Sequence, residues 1–299
     1  MSKINEKQNA ENLKEFKGRS LAEETARRLL KNKGAIVGMC FLILLVIVAI
    51  ASEFLFDFDT DIILVQADNS FAPPSAQHIF GCDQSGRDIF ARILYGARYS
   101  LIIGIGSVAI GLFFGLILGS LAGFYGGFID NLVMRANDIL YSIPNIMIAV
   151  VVVSIFGTST ASLLFSLSIS AASSFSRITR AAVMQVRGME YIESAYAMGL
   201  PTWKVIMRHI IPNCLSPIIV QVTLAVGNNI ISASSLSFLG VGIPVPLPEW
   251  GAMLAEGRNY IRSAPWMCIF PGLAIMITVL ALNLMGDGLR DALDPKLKK

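Results

Sequence analysis

The sequence predicts an all-α polytopic membrane protein with about six transmembrane helices and both termini in the cytoplasm. Three observations predict it. Of 299 residues, 54% are hydrophobic and only 15% charged, with a mean hydropathy of +0.63; soluble domains carry about 25% charged residues. The uncharged residues gather into runs long enough to cross a bilayer, which takes about 20 apolar residues per helix. The basic residues are shared unevenly between the loops those runs separate. This composition argues against a soluble enzyme and a disordered chain. A net charge of +3, from 24 basic and 21 acidic residues, is too small to draw a nucleic acid.

The elements follow in order. Residues 1–33 form a polar cytoplasmic leader with nine basic and five acidic residues. Residues 34–56 make the first transmembrane helix. Its apolar core is too long for a signal-peptide h-region and lies too far from the N-terminus. Residues 57–98 are an extracytoplasmic segment containing Asp57, Asp59, Asp61, Asp68 and Asp83 and the break at Pro73-Pro74. The core, residues 99–286, holds five more helices. The uncharged run Tyr99–Ile129 contains the second span. Ile139–Ser176 is too long for one crossing and is divided at Gly157-Thr158-Ser159-Thr160 into two. The fifth span falls at about 216–238 and the sixth within Ser263–Gly286. A cytoplasmic loop, 177–215, separates spans four and five, and residues 287–299 are a charged cytoplasmic tail.

With six spans, nineteen basic residues fall on the side of the termini and five on the other. By the positive-inside rule the termini are cytoplasmic. Three of the five outer arginines, Arg87, Arg92 and Arg98, are clustered. An interfacial amphipathic helix leading into span two, with Phe90, Ile93 and Leu94 facing lipid or protein, accounts for them.

Within the second span Gly111, Gly115, Gly119, Gly123 and Gly127 recur every four residues along one helix face. Small residues at that spacing let another backbone approach closely in lipid, in this chain or in a partner. Pro144 kinks the third span. Asn145, Asn228 and Asn229 are polar at membrane depth and so face protein or water; they line a solute path or join helices. No span core carries a lone charge of the kind ion-coupled carriers use. There is no phosphate-binding Gly-x-x-x-x-Gly-Lys-Ser/Thr loop, no His-Glu-x-x-His and no Gly-x-Ser-x-Gly. The four cysteines are scattered and the histidines number two, so neither a disulfide framework nor a metal centre is expected.

The cytoplasmic loop is the most informative segment. Glu190–Met198 favours helix, Gly199 stops it, and Pro201 suits the first turn of another. In that second helix Trp203, Ile206, Met207, Ile210 and Ile211 share one apolar face, and Pro212 breaks it before span five. Such a hairpin lies on lipid or docks in a groove of a soluble partner.

These residues carry a resemblance. Glu193-Ser194-Ala195-x-x-x-Gly199, with Pro212 beyond, resembles the Glu-Ala-Ala-x-x-x-Gly loop of bacterial ABC importer permeases, with Ser194 in place of the middle Ala. Three more stretches are similar to the dipeptide/oligopeptide/nickel branch. They are Gly81–Asp88 with Tyr95–Leu101, Ser237–Pro244 with Glu249–Ala252, and Leu282–Pro295. Cys82 stands where that branch usually has Thr. The leader and first span resemble the C-type, second permease subunit.

The resemblance implies a subunit without catalytic residues, cofactor or metal of its own. ATP and Mg would be held by two cytoplasmic ATPase subunits. A second homologous permease and an extracytoplasmic substrate-binding protein complete the assembly in the bacterial inner membrane. Glu193, Ser194, Ala195, Met198, Gly199, Leu200 and Pro201 would couple the chain to the ATPase, with Ala195 permitting close docking. The cargo would be a peptide, or alternatively nickel or a metal–metallophore. A stand-alone ion-coupled carrier and a membrane-enzyme anchor are the readings from other classes.

Overall fold

The computed structural model describes residues 21–293. The first twenty residues of the predicted leader and the last six of the predicted tail lie outside the described residues. Ten α-helices, besides short π and 3-10 turns, build the described residues: α1 (Leu21–Leu29), α2 (Lys33–Leu55), α3 (Ile89–Tyr125), α4 (Gly127–Ser142), α5 (Asn145–Phe156), α6 (Thr160–Arg187), α7 (Glu190–Ala197), α8 (Thr202–Phe238), α9 (Trp250–Gly257) and α10 (Trp266–Leu293). No β-strand occurs among the described residues; one isolated antiparallel bridge joins Cys82 to Asp88.

By length and composition α2, α3, α8 and α10 each qualify as membrane spans. The pair α4–α5, bent by 89° at Ile143-Pro144, counts as a fifth if taken as one broken span. Pro144 sits at the N-cap of α5, so the predicted kink is a full break. The 28-residue α6 is long enough but carries seven serines and falls short in apolarity.

Two expectations need correcting. The stretch 87–98 is no separate interfacial helix. Asp88 caps α3, its carboxylate accepting from the Ala91 amide at 2.9 Å, and the helix runs unbroken for 37 residues. Of the two surroundings expected for its apolar face, lipid or protein, Ile93 takes protein, buried against Trp250 and Met267. Nor does Pro212 break α8. A π turn over Ile206–Ile210 absorbs it, with the Ile211 amide reaching back five residues to Ile206. A π turn supplies one extra residue per turn and so relieves the proline's clash with the preceding carbonyls. The Asn213 side-chain amide donates to the His209 carbonyl at 2.6 Å beside it.

The glycine stripe on α3 faces α6 of the same chain. A Cβ at Gly111 would meet the Ala171 Cβ at 2.5 Å, one at Gly115 the Phe175 Cβ at 2.4 Å, and one at Gly119 the Thr179 Cβ at 2.7 Å. One at Gly123 would meet the Val183 Cβ at 3.0 Å. Each partner lies the same number of residues further along, so α3 and α6 run parallel. Rows of residues four apart interdigitate on both helices. Gly127 is outside the stripe; it lies in the turn to α4 at φ +54°. Nearer its N-terminal end the same face of α3 receives α8, where Gly104 admits Ile230. Helix α2 packs on α10 through Gly38, over the Ala281 carbonyl, and α1 reaches the end of α10 at Gly288.

Overpacking such a contact costs about 1–3 kcal/mol. Gly115→Val is therefore expected to lower the melting temperature of the detergent-purified chain. Gly188→Ala, where nothing lies within 4 Å and φ is −82°, is expected to leave it unchanged. Equal melting temperatures for the two variants would show that the stripe does not set the α3–α6 distance.

Candidate functional site

Two constructions stand out, at opposite ends of the helices. The first is the hairpin of α7 and the start of α8. Its turn is a Schellman cap. The Gly199 amide donates to the Tyr196 carbonyl at 2.8 Å, and the Leu200 amide to that of Ala195 at 3.3 Å. Gly199 takes φ +76°, a conformation that costs other residues about 1–2 kcal/mol. The motif needs an apolar contact between Leu200 and Ala195. Both join the cluster of Val183, Val186, Ile192, Val205, Ile210, Cys214 and Ile218 that seats the hairpin on α6 and α8. The spacing Ala195-x-x-x-Gly199 is thus the spacing of the cap.

This corrects the role expected of Ala195, whose side chain is 1% exposed and cannot enter an external groove. It acts as the small residue that lets α7 close on its own core. The outward surface is made by Glu193, Ser194, Met198, Pro201, Trp203 and Met207, all exposed, with Met198 the most open at 73%. The apolar face expected of the second helix is therefore divided. Val205 and Ile210 point in, while Trp203 and Met207 point out. The π turn rotates the face, which a count at helical spacing does not register. Tyr191 on α7 has its hydroxyl pKa raised by burial.

The second construction joins the loop before α3 to α9. Gly81 and Gly86 both take positive φ, and at Gly86 a Cβ would fall 1.8 Å from the Gln66 carbonyl oxygen. The tight turn aims Asp83 inward. Its carboxylate accepts from Arg87 Nε at 2.7 Å and from Arg92 Nη1, and Glu256 of α9 accepts from Arg87 Nη2 at 2.8 Å and Arg92 Nη1 at 2.9 Å. All four side chains are at least nine-tenths buried and their charges cancel. Glu249 caps α9, accepting from the Gly251 and Ala252 amides, and burial pushes its carboxyl pKa up. Cys82, wholly buried here, has its thiol pushed up to about 11 by burial, so a reactive thiolate is not formed near neutral pH. The four cysteines are free. No group of three metal-ligating side chains is found among the described residues.

Helix α4 adds a seam that the sequence reading passed over. Asp130 pairs with Arg180 (Arg180 Nη2 to Asp130 Oδ2, 2.6 Å) and Asp138 with Arg177 at 2.9 Å. Buried Asn137 accepts from Ser173 at 2.9 Å and donates to Ser176 at 3.1 Å. Asp130 and Asn137 two turns apart, opposite Ser173, Ser176 and Arg180, were the available signal. The three path candidates are not brought together. Asn145 accepts from Ser170, Asn229 donates to Ser107, and Asn228 is exposed.

Residues 111–299 match the family model described as the binding-protein-dependent transport system inner membrane component. The chain belongs to that family. Residues 20–74 match the N-terminal transmembrane domain of oligopeptide transport permease C. The chain is 45% identical over 275 residues to the dipeptide transport system permease protein DppC of Alkalihalophilus pseudofirmus, covering 92% of this chain and 90% of that one. It is 44% identical over 272 residues to the glutathione transport system permease protein GsiD of Pectobacterium atrosepticum, covering 91% and 90%. The di/tripeptide permease DppC of Pseudomonas aeruginosa is 41% identical over 273 residues, covering 89% of each. In fold, the chain is similar to inward-facing structures of the MetNI methionine ABC transporter, one at TM-score 0.57 and 19% identity over 68% of this chain and 96% of that one. The permease fold accordingly resides in about two thirds of the length.

Removing one member of a buried ion network leaves an uncompensated charge and costs about 3–5 kcal/mol. Glu256→Ala is expected to reduce folded yield and melting temperature sharply. Asp138→Asn breaks a half-exposed pair and is expected to cost under about 1 kcal/mol. A thermal melt ranking Asp138→Asn as the worse variant would remove the cluster from its structural role.

Proposed function

We propose that this chain is one of two paired permease subunits of an ATP-driven importer of short peptides in the bacterial cytoplasmic membrane. The observation that carries the reading is its likeness, over nine-tenths of both chains, to permeases named for dipeptides and glutathione. ATP and Mg would sit on two cytoplasmic ATPase subunits, and a substrate-binding protein would deliver cargo on the other side.

In this reading six spans, α2, α3, α4–α5, α6, α8 and α10, alternate across the bilayer from a cytoplasmic N-terminus to a cytoplasmic C-terminus. The parallel run of α3 and α6 supports it, since spans two and four of such a series share a direction. The α7 hairpin then lies on the cytoplasmic side and the Asp83–Glu256 cluster on the outer side.

Met198, Trp203 and Met207 form the apolar part of a surface that fits a groove on an ATPase. Glu193 is placed to meet a basic residue there. Closure of the ATPase dimer on ATP would displace the hairpin. Because the hairpin shares one packed core with α6 and α8, the displacement carries both spans with it as a rigid-body movement between two states. Exposed Asn145 and Asn228 would become lining residues once the second permease covers that face.

The test is affinity purification of the tagged chain from its native membrane, with mass spectrometry of what co-purifies. A second permease and ATPase subunits are expected. Recovery of the chain alone, with transport in proteoliposomes lacking ATP, would overturn the reading. In the assembled importer, Glu193→Ala combined with Gly199→Val is expected to lower peptide uptake by roughly tenfold or more. Membrane insertion should stay intact. Unchanged uptake would remove the hairpin from coupling.

Topology is tested separately. In a cysteine-free background, a cysteine at Val245 is expected to react with an impermeant reagent from outside and one at Ser194 only after permeabilisation. The reverse pattern would invert the assignment.

A further inference from the structure

Helices α2 and α3 do not close against each other along their whole length. Between them runs a groove of about 440 Å³, walled by Val46, Ala49 and Ile50 on one side and Leu101, Ile102 and Ile105 on the other. One charged couple stands at its end. Arg98 Nη2 meets Glu53 Oε2 at 2.9 Å, and the Arg98 guanidinium lies 5.4 Å from the centroid of the Tyr95 ring. Away from the couple both walls are uncharged. Gly34–Ser52 of α2 and Tyr99–Tyr125 of α3 contain no Asp, Glu, Lys or Arg. The couple therefore marks the level at which hydrocarbon gives way to headgroups.

From this juxtaposition we propose that the groove holds one phospholipid whose headgroup carries both a phosphate and a primary ammonium, with an acyl chain along the apolar walls and the headgroup on the Arg98–Glu53 couple. The charge pattern selects the headgroup. Arg98 keeps guanidinium donors beyond the one given to Glu53, in a planar fork suited to phosphate. Glu53 is more than half exposed, which leaves its carboxylate accessible to an ammonium. Phosphate on Arg98 and ammonium on Glu53 complete a ring of alternating charges. A purely anionic headgroup satisfies Arg98 but sets a like charge beside Glu53. The walls favour a lipid tail over a second helix. Branched Val46, Ile50, Leu101, Ile102 and Ile105 outnumber the small Ala49 and Gly106 along them, whereas the stripe facing α6 is glycine throughout. Bound there, the lipid would wedge α2 to α3.

The experiment is native mass spectrometry of the full-length chain, with its co-purifying subunits, released from nanodiscs of equal parts phosphatidylethanolamine and phosphatidylglycerol. The expected result is one retained phosphatidylethanolamine. Glu53→Gln should reduce the preference for it by roughly fivefold, the scale of one exposed charge pair. Ile102→Trp, at an exposed wall position, should fill the groove and abolish retention while leaving the melting temperature unchanged. Preferential retention of phosphatidylglycerol would overturn the proposal. So would no retained lipid, or the same retention in the Ile102→Trp variant. Protection of the groove by a co-purifying protein subunit, read by cysteine labelling at Ile102, would assign it to that subunit instead.

Discussion

The close approach of α3 to α6 is the constraint on which the other packings depend. In a bilayer, two apolar helices gain little from being apolar, because lipid tails solvate them equally well. What holds them is dispersion at short range, and that requires backbones near enough to touch. Gly111, Gly115, Gly119 and Gly123 remove the Cβ atoms that would keep α6 away. With α6 fixed along one face of α3, its serine-rich face is free for α4. Asn137, Ser173 and Ser176 satisfy one another there, where no water would do so. Two of the seven serines that make α6 too polar to qualify as a span by composition, Ser173 and Ser176, are groups that bind α4. Low apolarity and secure burial have the same cause.

A second constraint operates at the other end. Arg87 and Arg92 had to be placed among outer residues, where an excess of positive charge is not expected. An interfacial helix resolves that conflict on paper, but the chain resolves it by neutralisation. Asp83 and Glu256 meet both arginines, and the turn through Gly81 and Gly86 carries Asp83 into position. Such a network adds little to stability compared with an apolar core of equal volume. Its effect is to fix geometry, because four buried charges tolerate one arrangement. It pins the loop before α3 to α9, and so ties the two halves of the chain together through residues far apart in sequence.

Much of this was legible from residues alone. Uncharged runs located α2, α3, α8 and α10. The four-residue glycine period identified a close helix contact but not its partner, since any small-residue face would serve. The Gly199 turn was readable because positive φ and the four-residue spacing to Ala195 are local requirements of the cap. Three features were not readable. The π turn at Ile206–Ile210 adds a residue to one turn, so the helical count put Trp203 and Ile210 on one face when they lie on opposite ones. The inward direction of Ala195 depends on Val183 and Ile218, two other helices. The pairing of Arg87 and Arg92 with Glu256 spans a sequence separation that no periodicity encodes.

These packings also say what kind of motion the chain can pass on. The hairpin does not hang from a flexible linker. Ile192 and Ala195 are seated among residues of α6 and α8, and Leu200 closes the cap onto the same cluster. A force on its outward face therefore reaches both long helices through a close-packed core, which moves as a body and does not deform gradually. Helix α6 is in turn locked to α3 by the glycine stripe and to α4 by the polar seam. Helix α5, set at 89° to α4 across Ile143-Pro144, joins the same body: Ala149 packs with Leu163 and Leu167 of α6 and Ala233 of α8, and Asn145 accepts from Ser170 of α6. A displacement of the hairpin would therefore carry α5 and Asn145 along with α6 and α8. Both exposed asparagines thus sit on helices of one packed unit, α5 and α8, which move together and not past each other.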